Sequence, residues 1–233
     1  MRFAVLGNSH IGSIKRGWDI VSAQQPDHQM DFFGARRDGL KSLELDGNRL
    51  RPTDPDVLES IRFTSGGLDH IDLDAYDAFL LYGMEALPLF LDGRTFYSQQ
   101  VMQATLADHV HPRVSYLTLK KLRDATSKPI YLGHNPMRGA DQRNGVSQDI
   151  SDYMRGIAFL NDALYGGFDA ILLPQPPETI VNGRGSAMHY AQGAKALAIG
   201  TQRGGGDHVV TDLNHMNDAF GALWLEQFFA RLH

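Results

Sequence analysis

The first twelve residues, MRFAVLGNSHIG (1–12), decide the fold class. They begin with a short apolar run, Arg2 to Leu6, whose length suits one buried β-strand. The run leads into Gly7 and Asn8, which favour a turn, and the stretch Ile11 to Ala23 then has helical spacing. The chain therefore opens with a strand, a tight turn and a helix, which is the beginning of a βαβ unit.

The same pattern recurs along the chain, because each later apolar run also ends at a Gly or a Pro. These runs predict strands at Met30 to Gly34, Ala78 to Tyr82, Ile130 to Leu132 and Ala170 to Leu173. Helical spacing predicts helices at Tyr97 to Ala125, Ser147 to Tyr165, Ala187 to Ala198 and Asp218 to Leu232. Strands that alternate with helices form a parallel sheet covered by helices, so the predicted fold class is α/β.

The domain organisation is predicted to be simple. A chain of 233 residues suits one domain, and no internal repeat or low-complexity linker divides it. The segment 39–74 contains Pro52, Pro55 and the Gly66-Gly67 pair, so we expect a loop-rich insertion of turns and short helix there. Residues 1–233 are expected to form a single domain.

Composition narrows the classes of function. The net charge is −5, which gives no long-range attraction for nucleic-acid phosphates or anionic lipids. The chain has no cysteine, so disulfides, thiolate catalysis and Cys-ligated metal sites are excluded. No stretch approaches the roughly 18 to 20 continuous apolar residues of a membrane span, and the N-terminus lacks a signal-peptide pattern. We expect a cytoplasmic protein with neither nucleic acid nor a membrane as partner.

The loop after the first strand, Gly7 to Gly12, allows three functional interpretations, because such loops border the ligand crevice of an open parallel sheet. A dinucleotide fingerprint needs glycine where Ser9 stands, and a P-loop needs lysine where Ser13 stands. The third interpretation is a nucleophilic serine, for which the helix N-terminus supplies N–H groups and a positive field to an oxyanion. A non-catalytic alternative is that Ser9 caps the helix.

A second pattern, Asp212-Leu213-Asn214-His215, precedes the last predicted helix. This spacing allows the carboxylate to hold the tautomer of the imidazole while the other ring nitrogen faces a pocket. Serine is a weak nucleophile until such a base takes its proton. By itself, the pattern is common and is more typical of a helix-entry aspartate beside a surface histidine.

Together, GNSH after the first strand and DLNHMNDAFG (212–221) resemble the SGNH (GDSL-like) hydrolase superfamily. The first block of that family is usually Gly-Asp-Ser, and Asn8 stands here in place of the aspartate. The resemblance implies a three-layer α/β/α sandwich whose five-stranded parallel sheet has the flavodoxin-like order 2-1-3-4-5. It also implies Ser9 as nucleophile, His215 as general base and then general acid, and Asp212 as the partner that orients His215.

The resemblance further implies an oxyanion hole formed by the backbone of Ser9, by Gly34 after the second strand and by Gly83 after the third. The family usually has Gly-x-Asn after the third strand, and this chain has Glu85 where the asparagine is expected. An ionised carboxylate would repel an oxyanion. Asn135, in the GHNP stretch after the fourth strand, is the candidate replacement donor, although an Asn-Pro pair is also typical of a turn.

Candidate substrate-binding residues are His10, Glu85 and Arg138. Arg138, like Arg143 and Arg184 in nearby predicted loops, can hold a carboxylate or sulfate of a substrate. The histidines do not form an H-E-x-x-H pattern, and we expect neither a metal nor a cofactor.

The function expected from these residues is serine-dependent ester hydrolysis, as in an acyl esterase or deacetylase, on a small-molecule or glycan ester. The same residues make an O-acyltransferase if a sugar or small alcohol resolves the acyl-enzyme. The departures at Asn8 and Glu85 leave open a catalytically silent binding protein on the same fold, and Gly7 to Gly12 leaves open a nucleotide-binding protein. The sequence does not predict an oligomeric state.

Overall fold

A computed structural model of the chain describes residues 1–201 and 204–232. In chain order, its strands are β1 (Arg2–Gly7), β2 (Gln29–Gly34), β3 (Leu43–Asp46), β4 (Arg49–Pro52), β5 (Ile71–Asp72), β6 (Ala78–Tyr82), β7 (Ile130–Gly133), β8 (Gly139–Ala140), β9 (Ala170–Leu173), β10 (Ile180–Val181) and β11 (Gly185–Ala187). Its helices are α1 (Ile11–Val21), α2 (Pro55–Ser65), α3 (Gln99–His109), α4 (Val114–Ala125), α5 (Ser151–Ala163), α6 (Met188–Ala191) and α7 (Asp218–Ala230).

Five of these strands form an all-parallel sheet in the order β2-β1-β6-β7-β9. These are the five strands that the apolar runs predict, so the α/β class and the five-stranded parallel sheet are confirmed. Within residues 1–201 and 204–232, no helix combines the length and apolarity needed to cross a membrane.

Helices cover both faces of the sheet, which explains why its strands are continuous apolar runs. Alternate side chains of a strand point to opposite faces. Phe3 and Val5 of β1 therefore pack in one core cluster with residues of α1 and α7, and Ala4 and Leu6 pack in a second cluster with residues of α2, α4 and α5. All four side chains are fully buried.

The two ends of the chain meet where α1 packs on α7. A Cβ atom added to Gly17 would lie 2.3 Å from the carbonyl carbon of Gly221, and one added to Gly221 would lie 1.9 Å from the carbonyl oxygen of Ser13. Only glycine allows backbones to approach this closely. Because Ser9 lies just before α1 and His215 just before α7, this helix contact brings these two residues toward the same end of the sheet.

The segment 39–74 is more regular than the sequence predicts. It contains the 11-residue helix α2 and a small antiparallel sheet, β3-β4-β5. Helix α2 begins where the Asp54 side chain accepts the backbone N–H of Asp56, with Pro55 in the first turn. The segment thus supplies the helix that connects β2 to β6.

Two predicted helices are corrected. The stretch Tyr97 to Ala125 forms two helices, α3 and α4, because Pro112 lies between them and cannot continue a helix. The stretch Ala187 to Ala198 contains only the four residues of α6, and Gly193 follows with a positive φ of 68°. The segment after α6 is irregular backbone instead.

A buried polar network supports the loop that follows β7. His134 donates from Nδ1 to the carbonyl of Asn135 at 2.6 Å, and its Nε2 lies 2.7 Å from the Tyr153 hydroxyl. That hydroxyl accepts the backbone N–H of Gln175 at 2.6 Å, so its own proton is donated to His134 Nε2. Gln175 also accepts the backbone N–H of Met137 at 3.0 Å. A buried network with its groups paired in this way rigidifies the loop.

We expect His134 to make the fold less stable in mild acid. Burial lowers the pKa of His134 from 6.5 to about 4, against the opposing effect of its hydrogen bond to Asn135. Between pH 4 and pH 6.5 the unfolded chain therefore binds more protons than the folded protein does. The contribution of His134 to the free energy of unfolding is fully present above pH 6.5 and is lost as the pH falls toward 4. The loss due to His134 is about 2 to 3 kcal/mol at a pH of about 4.5.

Urea unfolding of wild type and His134→Gln at neutral pH and in mild acid measures this effect. The variant is less stable at neutral pH because its hydrogen bonds are disturbed, but it should lose less stability on acidification than wild type does. Equal losses in the two proteins would contradict the assignment to His134.

Candidate active site

Side chains from the two ends of the chain form a hydrogen-bonded series near the carboxyl end of β1. Ser9 Oγ lies 2.9 Å from His215 Nε2, and His215 Nδ1 lies 2.8 Å from Asp212 Oδ2. A carboxylate only accepts hydrogen bonds, so Nδ1 carries the proton and Nε2 presents its lone pair to the Ser9 hydroxyl. This is the arrangement in which a base activates a serine and a third group orients the base.

Asp212 is held in its ionised form. Desolvation raises its pKa, but hydrogen bonds from the Asn214 backbone and from His215 outweigh this and lower the pKa to about 2. Asp212 Oδ1 accepts the backbone N–H groups of Asn214 at 2.9 Å and of His215 at 3.2 Å. A fixed negative charge beside Nδ1 stabilises an imidazolium when His215 takes a proton.

The local sequence explains why the Ser9 hydroxyl is available to His215. Asn8 accepts the backbone N–H of His10 through Oδ1 at 3.2 Å, and its carbonyl accepts the N–H of Ile11 at 3.0 Å. These bonds turn the chain from β1 into α1. Helix α1 has no side-chain hydrogen bond at its N-terminal cap, so the alternative in which Ser9 caps the helix is wrong.

Two further imidazoles stack on the faces of His215. The ring of His10 lies 4.8 Å from it at an interplanar angle of 24°, and the ring of His208 lies 4.0 Å from it at 11°. Burial lowers the pKa of His10 to about 3, with repulsion from His215 adding to the effect, and burial also lowers the pKa of His208. Both rings are therefore neutral near pH 7. Because they stack on His215, they also shield its ring from water and restrict its rotation.

His208 is a residue of this site that the sequence patterns did not predict. Its Nδ1 lies 2.9 Å from Asp212 Oδ2, the same oxygen that His215 contacts. The available signal was its position four residues before Asp212, in the pattern H-x-x-x-D-x-x-H. The chain places it there through the hydrogen bond from its backbone N–H to the carbonyl of Ala194 at 2.8 Å.

These residues also include the ligand types of a metal site. One ring nitrogen of His208, one of His215 and a carboxylate oxygen of Asp212 all lie within 4.8 Å of one another. The Nδ1 atoms of both rings face Asp212, so a divalent ion held by them would require both Nδ1 atoms to lose their protons. The His215 proton would then sit on Nε2, which could no longer accept the proton of Ser9. Metal binding and general-base catalysis are therefore mutually exclusive at His215, and the absence of a metal stays a prediction.

Ser9 and His215 line a cleft of about 490 Å³. His10, Asn135 and Arg138 also line it, so the structure brings together five of the residues that the sequence analysis predicts for the site. Most of the remaining wall is apolar and consists of Leu87, Pro88, Phe90, Pro136 and Met137. The serine therefore faces a space with an apolar side and a few polar groups, as small-molecule sites usually do.

Asp212, which contacts His215, and three further predicted site residues do not line this cleft. The Gly34 N–H donates to Thr64 Oγ1 at 2.9 Å, and the Gly83 N–H donates to the carbonyl of Gly133 at 2.9 Å. Because both N–H groups are already used within the fold, the structure does not support them as oxyanion donors. Glu85 has a positive φ of 63° and is not among the residues that line the cleft, so the structure does not support it as a substrate-binding residue.

Ser9 and Asn135 remain as candidate oxyanion donors. Within the described part of the chain, no carbonyl accepts the Ser9 N–H, which lies at the N-terminal end of α1. Asn135 Oδ1 is buried without a hydrogen-bond partner among the described residues. Rotation of this amide by 180° exchanges its oxygen and nitrogen and leaves its shape unchanged, so the NH₂ group can serve the cleft.

Neither a scan against protein-family models nor a search of the curated proteins returns a match for the chain. The resemblance to SGNH hydrolases therefore depends on the residues of this site.

Proposed function

We propose that the protein is a serine-dependent carboxylic ester hydrolase of the SGNH type. The observation that carries the proposal is the continuous series from Ser9 Oγ through His215 to Asp212, with distances of 2.9 and 2.8 Å. The strand order β2-β1-β6-β7-β9 supports the flavodoxin-like arrangement as part of the same proposal.

The first half of the reaction transfers the acyl group to the enzyme. Ser9 Oγ attacks the ester carbonyl carbon while its proton passes to His215 Nε2, and the carbonyl oxygen becomes an oxyanion. When the carbon–oxygen bond to the alcohol breaks, His215 returns the proton to the departing alcohol. Asp212 holds the ring and stabilises its positive charge between these steps.

The second half releases the acid. A water molecule donates its proton to His215 Nε2 and attacks the acyl carbon, and collapse of the second tetrahedral intermediate expels Ser9 Oγ, which recovers the proton. His10 and His208, stacked on His215, stay neutral through both halves because their pKa values lie below the ordinary range.

The oxyanion is assigned to the Ser9 N–H and the Asn135 amide. The partial positive charge at the N-terminus of α1 adds to this stabilisation. Glu85 does not line the cleft, so the proposal does not place its carboxylate in contact with the oxyanion. This location weakens one of the two observations, Glu85 and Asn8, that favour a catalytically silent binding protein.

Replacing Asn135 by alanine is expected to lower kcat by about 10²-fold to 10³-fold with a much smaller change in KM, because an oxyanion donor acts mainly on the transition state. Steady-state hydrolysis of 4-nitrophenyl butyrate measures the two constants. The exposed Asn144 provides the control variant, Asn144→Ala, which should behave as wild type. A normal kcat in Asn135→Ala would assign the second donor elsewhere.

A fluorophosphonate probe, which phosphonylates activated serines, tests the proposed function directly. We expect wild type to hydrolyse 4-nitrophenyl acetate and butyrate, and mass spectrometry of digested, labelled protein to locate one adduct on Ser9. The adduct should be absent from heat-denatured protein and should form far more slowly in His215→Ala. Failure to hydrolyse either ester together with failure to label Ser9 would overturn the proposal.

A further inference from the structure

The cleft in front of Ser9 is positively charged although the chain is acidic. Its lining contains Arg138 and Arg184 and no aspartate or glutamate, whereas the chain has a net charge of −5. Among residues 1–201 and 204–232, no carboxylate forms an ion pair with either guanidinium. A cleft with one sign of charge and apolar walls concentrates the field and attracts the opposite charge.

The same two arginines stand at the junction with a larger cavity of about 990 Å³, which they also line. Two other arginines of that cavity are already neutralised, since Arg94 pairs with Asp92 and Arg155 pairs with Asp152. Arg143 also lines the larger cavity without an ion pair among the described residues, but only Arg138 and Arg184 line both cavities and so place positive charge where the two meet. A substrate with its ester at Ser9 can extend past this junction into the larger cavity.

Backbone hydrogen bonds fix the position of Arg138 relative to the loop that contains Asp212 and His215. Its carbonyl accepts the backbone N–H of Ser186 at 3.0 Å, and the next residue, Gly139, donates its N–H to the carbonyl of Leu213 at 2.7 Å. Leu213 belongs to the segment 212–215, which supplies the base and its orienting carboxylate. The backbone of Arg138 is therefore fixed relative to that segment.

Arg184 is held by a tight turn and by an aromatic ring. It follows Asn182 and Gly183, whose φ values are 54° and 71°, and it ends the three-residue connection between β10 and β11 with its N–H donating to the carbonyl of Val181 at 3.2 Å. Its guanidinium lies 5.5 Å from the ring centroid of Phe90, a wall residue of the cleft. This contact orients the guanidinium and leaves its charge and N–H donors available. Because β11 pairs with β8, the hairpin lies beside the strand that follows Arg138.

We propose that Arg138 and Arg184 bind an oxyanion of the ester substrate, and that the substrate is therefore an anionic ester carrying a carboxylate, sulfate or phosphate. The inference rests on the proposed function of Ser9. Two guanidinium groups supply planar sets of N–H donors that match these anions. A bound anion also offsets the repulsion between two like charges that the fold holds on neighbouring segments.

Paired esters test the proposal through kinetics. We expect 4-nitrophenyl hemisuccinate to be hydrolysed with a higher kcat/KM than 4-nitrophenyl butyrate. Arg138→Gln and Arg184→Gln should each lower kcat/KM for the hemisuccinate by about 10-fold to 100-fold more than they lower it for the butyrate. Arg37→Gln, at an exposed position that lines neither cavity, makes the same change in net charge and should leave both substrates unaffected.

A second pair of esters, phenyl acetate and 4-acetoxybenzoate, places the anion on the alcohol instead of the acyl group. Preference for the anionic member in one pair identifies the half of the substrate that contacts the arginines. Preference for the neutral member in both pairs would overturn the proposal.

A binding measurement separates this inference from the proposed chemistry. Isothermal titration of Ser9→Ala should show tighter binding of monomethyl succinate than of dimethyl succinate, and adding Arg138→Gln should remove the difference. If Ser9 hydrolyses neutral esters but the arginine variants affect both members of a pair equally, the anion site is wrong and the esterase stands. If no ester is hydrolysed but the arginines still select monomethyl succinate, the anion site stands and the esterase is wrong.

Discussion

Replacing Ser9 by alanine is expected to lower kcat/KM for 4-nitrophenyl butyrate by about 10⁴-fold to 10⁶-fold. Alanine removes the proposed nucleophile, Ser9 Oγ, which lies 2.9 Å from His215 Nε2. The remaining base and oxyanion donors then act only on a water molecule. The fold should change little, because the substitution removes one hydrogen bond, worth about 1 kcal/mol, at a partly exposed residue.

Ser127→Ala is the matched control, since Ser127 is exposed and precedes β7 at the opposite end of the sheet. It should keep wild-type activity, and both variants should keep the wild-type circular dichroism and melting temperature. Full activity in Ser9→Ala would contradict the proposed mechanism. If EDTA then removed that activity, a metal bound by His208, Asp212 and His215 would be the catalytic element instead.

The sheet could be predicted from the sequence because both of its faces are covered. A strand buried on both sides must be apolar throughout, and this makes runs such as Ala78 to Tyr82 and Ala170 to Leu173 distinct from the surrounding chain. Their predicted ends agree with those of β6 and β9. The helix ends were less predictable, although Pro112 already indicated the break between α3 and α4.

The candidate site was predictable only in part. Ser9 and His215 each follow a local pattern in the sequence, and both patterns lie at the start of a helix. The hydrogen bond from Gly34 to Thr64 could not be predicted, because it joins the end of β2 to a residue of helix α2, 30 positions later in the chain. The contact between Gly17 and Gly221 could not be predicted either, because it depends on the packing of α1 on α7, which lie near opposite ends of the chain.

Replacing Asp212 by asparagine is expected to lower kcat by about 10⁴-fold through the tautomer of His215. The backbone N–H groups of Asn214 and His215 both donate to Asp212 Oδ1 and would keep the amide oxygen of the new residue at that position. The NH₂ group would then face His215 Nδ1, which lies 2.8 Å from Oδ2 in the wild type. Nδ1 would have to accept, the proton would move to Nε2, and Nε2 could no longer take the proton of Ser9.

His208→Gln distinguishes this mechanism from one in which Asp212 acts through His208. Both imidazoles contact the same oxygen of Asp212, but only His215 also contacts Ser9. We therefore expect a kcat within about tenfold of wild type in His208→Gln, because the stacked ring shields and orients His215 without taking a proton. Equal losses in His208→Gln and Asp212→Asn would instead make His208 an essential partner of Asp212. A kcat near wild type in Asp212→Asn would show that the tautomer of His215 does not limit the reaction.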